Sequence, residues 1–157
     1  MKEKTCRFTG HRQIPLEYLP ALSKKLRDTL ICYIEQGYRF FGAGGALGFD
    51  TIAAQMVLEL KKQYPDIKLI LVLPCRDQAD RWSSQDIEEY ERIKARADKV
   101  VYTSERYFNG CMQKRTRHLV DYSSLCICYL NKMTGGTAYT VNYAAKNKLT
   151  IINCWEK

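Results

Sequence analysis

Two glycine-rich stretches carry residue types at a spacing suited to anion binding: Gly42-Ala43-Gly44-Gly45-Ala46-Leu47-Gly48-Phe49-Asp50, and Thr134-Gly135-Gly136-Thr137. Each follows a short apolar run, Tyr38 to Phe41 for the first and Leu125 to Leu130 for the second, and each precedes a segment with helical spacing. A glycine turn between a strand and a helix leaves backbone N–H groups unshielded at a helix N-terminus, where phosphates and carboxylates bind. Two such turns in one small chain point to a ligand with an anionic part held between them. The plainer alternative is that the glycines only make tight strand–helix turns. On the first reading, a side chain at Gly45 or Gly136 fills the space where phosphate meets backbone.

Neither stretch is a common nucleotide motif. Gly42 and Gly44 match the start of the dinucleotide fingerprint, but Leu47 stands where its third glycine belongs, and the cluster follows the second strand instead of the first. No Lys-Ser/Thr pair completes a P-loop. Ordinary NAD binding and ATP hydrolysis are therefore unsupported.

Other groups fit recognition better. Arg7, Arg12, Arg76, Arg81, Arg115 and Arg117 fall in or near the loops that follow strands. Arginine grips phosphate through a planar fork, although each of these taken singly also reads as a solvated surface residue. Trp82, Tyr107, Phe108 and Tyr139 can stack on a nucleobase or pack in the core. Asp50 and Asp121 can accept from ribose hydroxyls and are the candidate catalytic carboxylates if there is a reaction, while Asp50 can equally cap a helix. Nucleophile elbows and HExxH are absent. Cys75 beside Arg76 is either a thiol of lowered pKa or a packing residue.

The 157 residues suffice for one domain over 1–157, and the formal net charge of +8 favours anionic partners such as nucleotides or nucleic acid. Seven scattered cysteines without C-x-x-C spacing fit a reducing compartment, and two histidines leave little for a metal site, so neither metal nor cofactor is expected. There is no apolar run of the roughly eighteen residues a membrane span needs, and no apolar signal-peptide core follows Met1. The expected compartment is the cytoplasm, with no membrane partner; a homo-oligomer is left open.

These groups need elements to position them. Lys4 to Phe8 reads as a first strand, followed by the loop Thr9-Gly10-His11-Arg12. Leu19, Leu22, Leu26, Leu30, Tyr33 and Ile34 recur at helical spacing, and Gly37 ends that helix. After the strand Tyr38 to Phe41, Asp50 or Thr51 is expected to cap a helix that Pro65 terminates. Lys68 to Leu73 and Val100 to Tyr102 read as strands, with a helix between them capped by Ser84. Met112 to Tyr122 reads as a helix, Leu125 to Leu130 as a strand, Thr137 to Lys148 as the last helix and Thr150 to Cys154 as the last strand. The alternation predicts a single α/β Rossmann-like domain: a mostly parallel sheet of about six strands with helices on both faces. In such a sheet the ligand binds beyond the C-terminal strand ends, so the loops after the strands share one rim.

Together these loops resemble the SLOG superfamily, the Rossmann-like group that contains the DprA and LOG proteins, and most closely its YpsA-like branch. The matching pieces are Thr9-Gly10-His11-Arg12, Gly44 to Asp50, Pro74-Cys75 with Gln78 and Trp82, Tyr107 with Cys111-Met112, Arg115 with Val120-Asp121, and Gly135-Gly136-Thr137. They run in family order over nearly the whole chain. The resemblance implies a pocket for a nucleotide-derived small molecule. It places that pocket at Thr9, Gly10, His11, Arg12, Gly44, Gly45, Ala46, Leu47, Asp50, Pro74, Cys75, Gln78, Trp82, Arg115, Gly135, Gly136, Thr137 and Tyr139. LOG hydrolases carry a glutamate shortly after their second glycine motif; here Ala138, Tyr139 and Thr140 follow. An oxocarbenium-like transition state needs a nearby carboxylate. The first expectation is thus a sensor or sequestering binder of an ADP-ribose-like or cyclic nucleotide signal. The alternatives are a nucleoside-monophosphate N-glycosidase using Asp50 or Asp121, and a single-stranded nucleic-acid binder like DprA.

Overall fold

Alternation along the first strand sorts its residues between two environments. The structure, a computed structural model, describes residues 2–155. In strand β1 (Thr5–Gly10), Cys6 and Phe8 point to one face of the sheet and Arg7 and Thr9 to the other. All four are buried, as the middle of a sheet covered on both sides requires. The remaining strands are β2 (Phe40–Ala43), β3 (Lys68–Leu73), β4 (Lys99–Tyr102), β5 (Leu125–Tyr129) and β6 (Thr150–Asn153). Their order is β4-β3-β2-β1-β5-β6, and every pairing is parallel. Arg7 lies in register between Gly42 of β2 and Cys126 of β5. The chain steps outward from β1 to β4, then returns across the sheet to start β5 on the other side of β1. The strand order therefore reverses beside β1.

The helices divide between the faces. α1 (Leu19–Glu35), α2 (Phe49–Leu60) and α3 (Ser84–Arg96) pack in sequence on one side, and α4 (Cys111–Asp121) and α5 (Gly136–Lys146) on the other. The first side holds the main core, in which Leu22, Leu26, Leu30 and Ile34 of α1 meet Phe8, Phe41 and Phe49. Burying each such large side chain contributes about 1.5–3 kcal/mol. A smaller core joins Val120 of α4 to Cys126, Cys128, Ala144 and Leu149. This is the α/β Rossmann-like architecture the sequence predicts.

Several boundaries differ from the sequence reading. β1 and β2 run two residues further than expected, because parallel pairing with β5 carries β1 to Gly10 and pairing with β3 carries β2 to Ala43. Ser83, not Ser84, caps α3, accepting from the Asp86 N–H at 3.1 Å. Gly48, not Asp50 or Thr51, starts α2. α5 begins at Gly136 and stops at Lys146, so that the left-handed Lys148 (φ 66°) can turn the chain into β6. Among the described residues no helix is long and apolar enough to cross a membrane.

Candidate functional site

Three helices begin at the C-terminal edge of the sheet on a glycine with positive φ and no side-chain cap. They are α2 at Gly48 (φ 83°), α4 at Gly110 (φ 97°) and α5 at Gly135 (φ 98°). L side chains rarely adopt such angles, and glycine adopts them without steric cost. The helix dipoles and first N–H groups of all three face this edge.

The first glycine turn is tightly packed. The Phe49 N–H donates to the His11 carbonyl at 3.2 Å. A Cβ on Gly48 would overlap the backbone of His11 and Arg12, and one on Gly10 would overlap Phe49. The loop after β1 therefore lies directly over the start of α2. Gly45 (φ 73°) leaves no room either, since a Cβ there would overlap Leu73 and press on Tyr90. The expectation that a side chain at Gly45 would fill ligand space is corrected: that space belongs to the core.

Beneath this turn sit three buried charges, Arg7, Asp50 and Arg115. Arg115 reaches up from α4 and donates through Nη1 to the Gly44 carbonyl. Arg7 donates to the carbonyls of Thr116 at 3.2 Å and Phe8 at 2.6 Å. Asp50 Oδ2 accepts from the Ala46 N–H at 3.4 Å. Burial raises the Asp50 pKa above its usual value, and the charges of Arg115 and Arg7 oppose that rise. Around the same turn, Asp50 Oδ1, Gln78 Oε1, Tyr90 Oη and Arg115 Nε are buried without a hydrogen-bond partner among the described residues. Buried polar atoms normally find partners, so four such atoms around one loop mark an unusual polar environment.

The second glycine turn is open. A Cβ on Gly135 or Gly136 would meet nothing within 4 Å. Both glycines border a recess of about 190 Å³ between the starts of α4 and α5, together with Met112, Gln113, Thr116 and Tyr139. Tyr139 is exposed and stacks on Tyr143, with ring centroids 6.4 Å apart. Thr140 Oγ1 donates to the Gly136 carbonyl at 3.0 Å and lies 3.3 Å from Thr116 Oγ1. Thr137 is half-buried at the start of the helix. The recess borders the second turn and not the first, so the two turns share an edge without lining one continuous hollow.

The other expected residues distribute as follows. Thr9 is buried at the end of β1. His11 Nε2 accepts from the Asn131 N–H at 3.0 Å, tying the loop after β1 to the loop after β5. Burial, and then Lys132, lowers the His11 pKa. The Arg12 guanidinium lies 5.8 Å from the centroid of the Trp82 ring, linking the loops after β1 and β3. Ala46 and Leu47 are half-buried, and Pro74 is buried. Cys75 is fully buried; burial and the neighbouring Asp77 carboxylate push its thiol up to about 12, so Arg76 does not activate it. Arg76 instead pairs with Glu105 at 2.7 Å. Asp121 is not brought to this edge: it ends α4, the far end of a helix that starts there, and accepts from the Tyr143 hydroxyl at 3.0 Å. Arg7, grouped with the loop arginines by sequence, lies inside the sheet.

Sequence reasoning missed Gly110, Thr116, Tyr90 and Gln113. Gly110 was legible as a glycine immediately before an amphipathic run. The other three carry no local signal, because only the packing of α3, α4 and α5 brings them to the turns.

Comparison with known proteins identifies the lineage. Residues 7–152 match the family model YpsA, described as the YspA SLOG family, and the chain belongs to that family. The SPbeta prophage-derived protein YoqJ of Bacillus subtilis is 32% identical over 143 residues, covering 80% of this chain and 83% of that protein. The UPF0398 protein YpsA of the same organism is 25% identical over 155 residues, covering 92% and 86%. Among solved structures, DNA processing protein A of Helicobacter pylori superposes on 96% of this chain with a TM-score of 0.66 at 17% identity. DprA of Streptococcus pneumoniae superposes on 96% with a TM-score of 0.68 at 16% identity. This chain spans 64% and 50% of those two DprA chains, and the likeness shows the fold alone.

Proposed function

We propose that this SLOG-family chain binds an anionic nucleotide derivative, of ADP-ribose or cyclic nucleotide type, and senses or sequesters it without fast turnover. The carrying observation is the open start of α5. Gly135 and Gly136 leave free space at an uncapped helix N-terminus, beside the exposed ring of Tyr139 and a recess. Phosphate suits the helix end, and a base suits the ring. Arg12 and Trp82, already in contact, extend the same edge with a cation and a second aromatic.

Weak catalysis follows from the same geometry. The start of α5 offers Thr137 and Thr140 but no carboxylate, and Thr140 already donates to Gly136. Asp50 is buried beneath the first turn, and Asp121 lies at the other end of α4. The deciding experiment is mass spectrometry of small molecules released from the heat-denatured, purified protein, followed by calorimetry with the molecule identified. Stoichiometric release of an intact nucleotide supports the reading. A protein that releases none and binds neither ADP-ribose nor cyclic nucleotides refutes it.

A second reading, single-stranded nucleic-acid binding, draws on Tyr107 and Phe108, which are exposed beside Arg106 in the loop after β4. Exposed aromatics among cations are how single strands are held. The published description of the H. pylori structure attributes single-stranded DNA binding to that protein. A gel shift with oligonucleotides that weakens steeply with salt favours this reading.

A further inference from the structure

Parallel strands are normally covered on both faces, and here the cover over one face of β3 and β4 is incomplete. α3 lies with α1 and α2 on one side of the sheet, and α4 and α5 run over the other side. The second face of β3 and β4 is left under a cavity of about 480 Å³. Phe40, Ile70, Val72 and Val101 form its floor, and Leu119 of α4 forms a wall. Gly42 shapes that wall, since a Cβ there would press on Leu119. Lys2, Lys99 and His118 also line the cavity. Thr5, Phe40 and Lys99, at the N-terminal ends of their strands, and Tyr122, just past the end of α4, also line it.

The charges lining this cavity are of one sign. Among the described residues that line it there is no carboxylate. The nearby Asp121 is engaged by the Tyr143 hydroxyl. Burial lowers the His118 pKa, so at neutral pH its ring offers an uncharged N–H beside two ammonium groups. A second copy of the chain is a poor occupant. A two-fold interface would bring the partner's own copies of these cations to the same groove, on a chain already at +8. The volume falls in the range that holds small molecules.

We infer that this cavity binds a small amphiphile with an extended apolar tail and one anionic head, an acyl-type carboxylate. The tail lies on Ile70, Val72 and Val101, and the head meets Lys99 and Lys2. No covalent step is involved.

The test is calorimetry of the full chain with decanoate below its micelle concentration, with decyltrimethylammonium as the same tail under the opposite charge. Saturable 1:1 binding of decanoate is expected, at least tenfold tighter than the cationic analogue. Val101→Trp should remove it by filling the floor. Lys99→Glu, at an exposed side chain, should weaken it at least tenfold with folding unchanged by circular dichroism, and it decides the matter if Val101→Trp fails to fold. The inference is overturned if decanoate does not bind saturably, if both head groups bind alike, or if Lys99→Glu binds as tightly as wild type. Self-association that Val101→Trp abolishes in analytical ultracentrifugation would assign the face to a second copy instead.

Discussion

Arg115 and Thr116 are neighbours on α4, yet they brace different glycine turns. The Arg115 guanidinium donates to the Gly44 carbonyl of the first turn, and the Thr116 hydroxyl meets Thr140 beneath Gly136 of the second. One turn of α4 therefore sets the spacing of both turns.

The two turns should respond oppositely to the same substitution. Gly45→Val places a branched side chain at φ 73° against Leu73 and Tyr90, and should lose about 1–3 kcal/mol of stability. Gly136→Val enters open space and should unfold near the wild-type temperature while losing nucleotide binding. Thermal unfolding and calorimetry on both variants decide. An unchanged affinity in folded Gly136→Val removes the start of α5 from the site.

Arg115 supports a loop from inside, which changes what its removal does. Arg115→Ala deprives the Gly44 carbonyl of a charged donor, and should cost about 1.5–3 kcal/mol in urea unfolding. Because the turn itself loosens, affinity should fall alike for a phosphorylated ligand and its dephosphorylated analogue. A loss confined to the phosphorylated form would show instead that Arg115 reads phosphate directly.

Asp50 gives the stability curve a recognisable segment. Its folded-state pKa is raised above 3.8 by burial, so between 3.8 and the raised value the folded state holds the extra proton. Stability from this group is thus present at low pH and lost as pH rises through the folded pKa. Urea unfolding across a pH series should show this decline in wild type and not in Asp50→Asn. The difference between the two curves isolates it from the lowered carboxyls Asp77 and Asp98, which act in the opposite direction.

Hydrolysis of nucleoside monophosphates should be slow or undetectable. A missing, positioned acid–base group typically costs ~10²–10⁴-fold. Chromatography of released base from several monophosphates measures it, with Asp50→Asn as the comparison. Rapid wild-type turnover that disappears in the variant would make this an enzyme that uses Asp50.

Local pattern carried much of this structure. The spacing of Leu22, Leu26, Leu30 and Ile34 specifies α1, and the aliphatic run at Lys68–Leu73 specifies a strand; the run suggests cover on both faces, whereas Ile70 and Val72 border a cavity on the second one. Asp50 and Thr51 are better cap formers by type than Gly48, and sequence favours them. The contact of Gly48 with the His11 and Arg12 backbone, which forces its φ, is long-range and has no local signature. Arg115 looks like any loop-proximal arginine until the Gly44 carbonyl is found above it. Asp121 follows Arg115 closely in sequence, but the remainder of α4 carries it away from the glycine turns at ~1.5 Å per residue.

The position of β1 bears on how the chain comes off the ribosome. β1 is made first but flanks β5, so its register partners Leu125 to Tyr129 are synthesised only after β2, β3 and β4 are complete. Until then one side of β1 is an unpaired edge. A nascent chain halted before Leu125 would hold four of the six strands, with one long side of β1 left open at the edge. Such intermediates expose sticky surface, and non-local parallel pairing is slow. Translation of the last quarter of the chain is therefore the interval in which this protein most needs shelter from its neighbours.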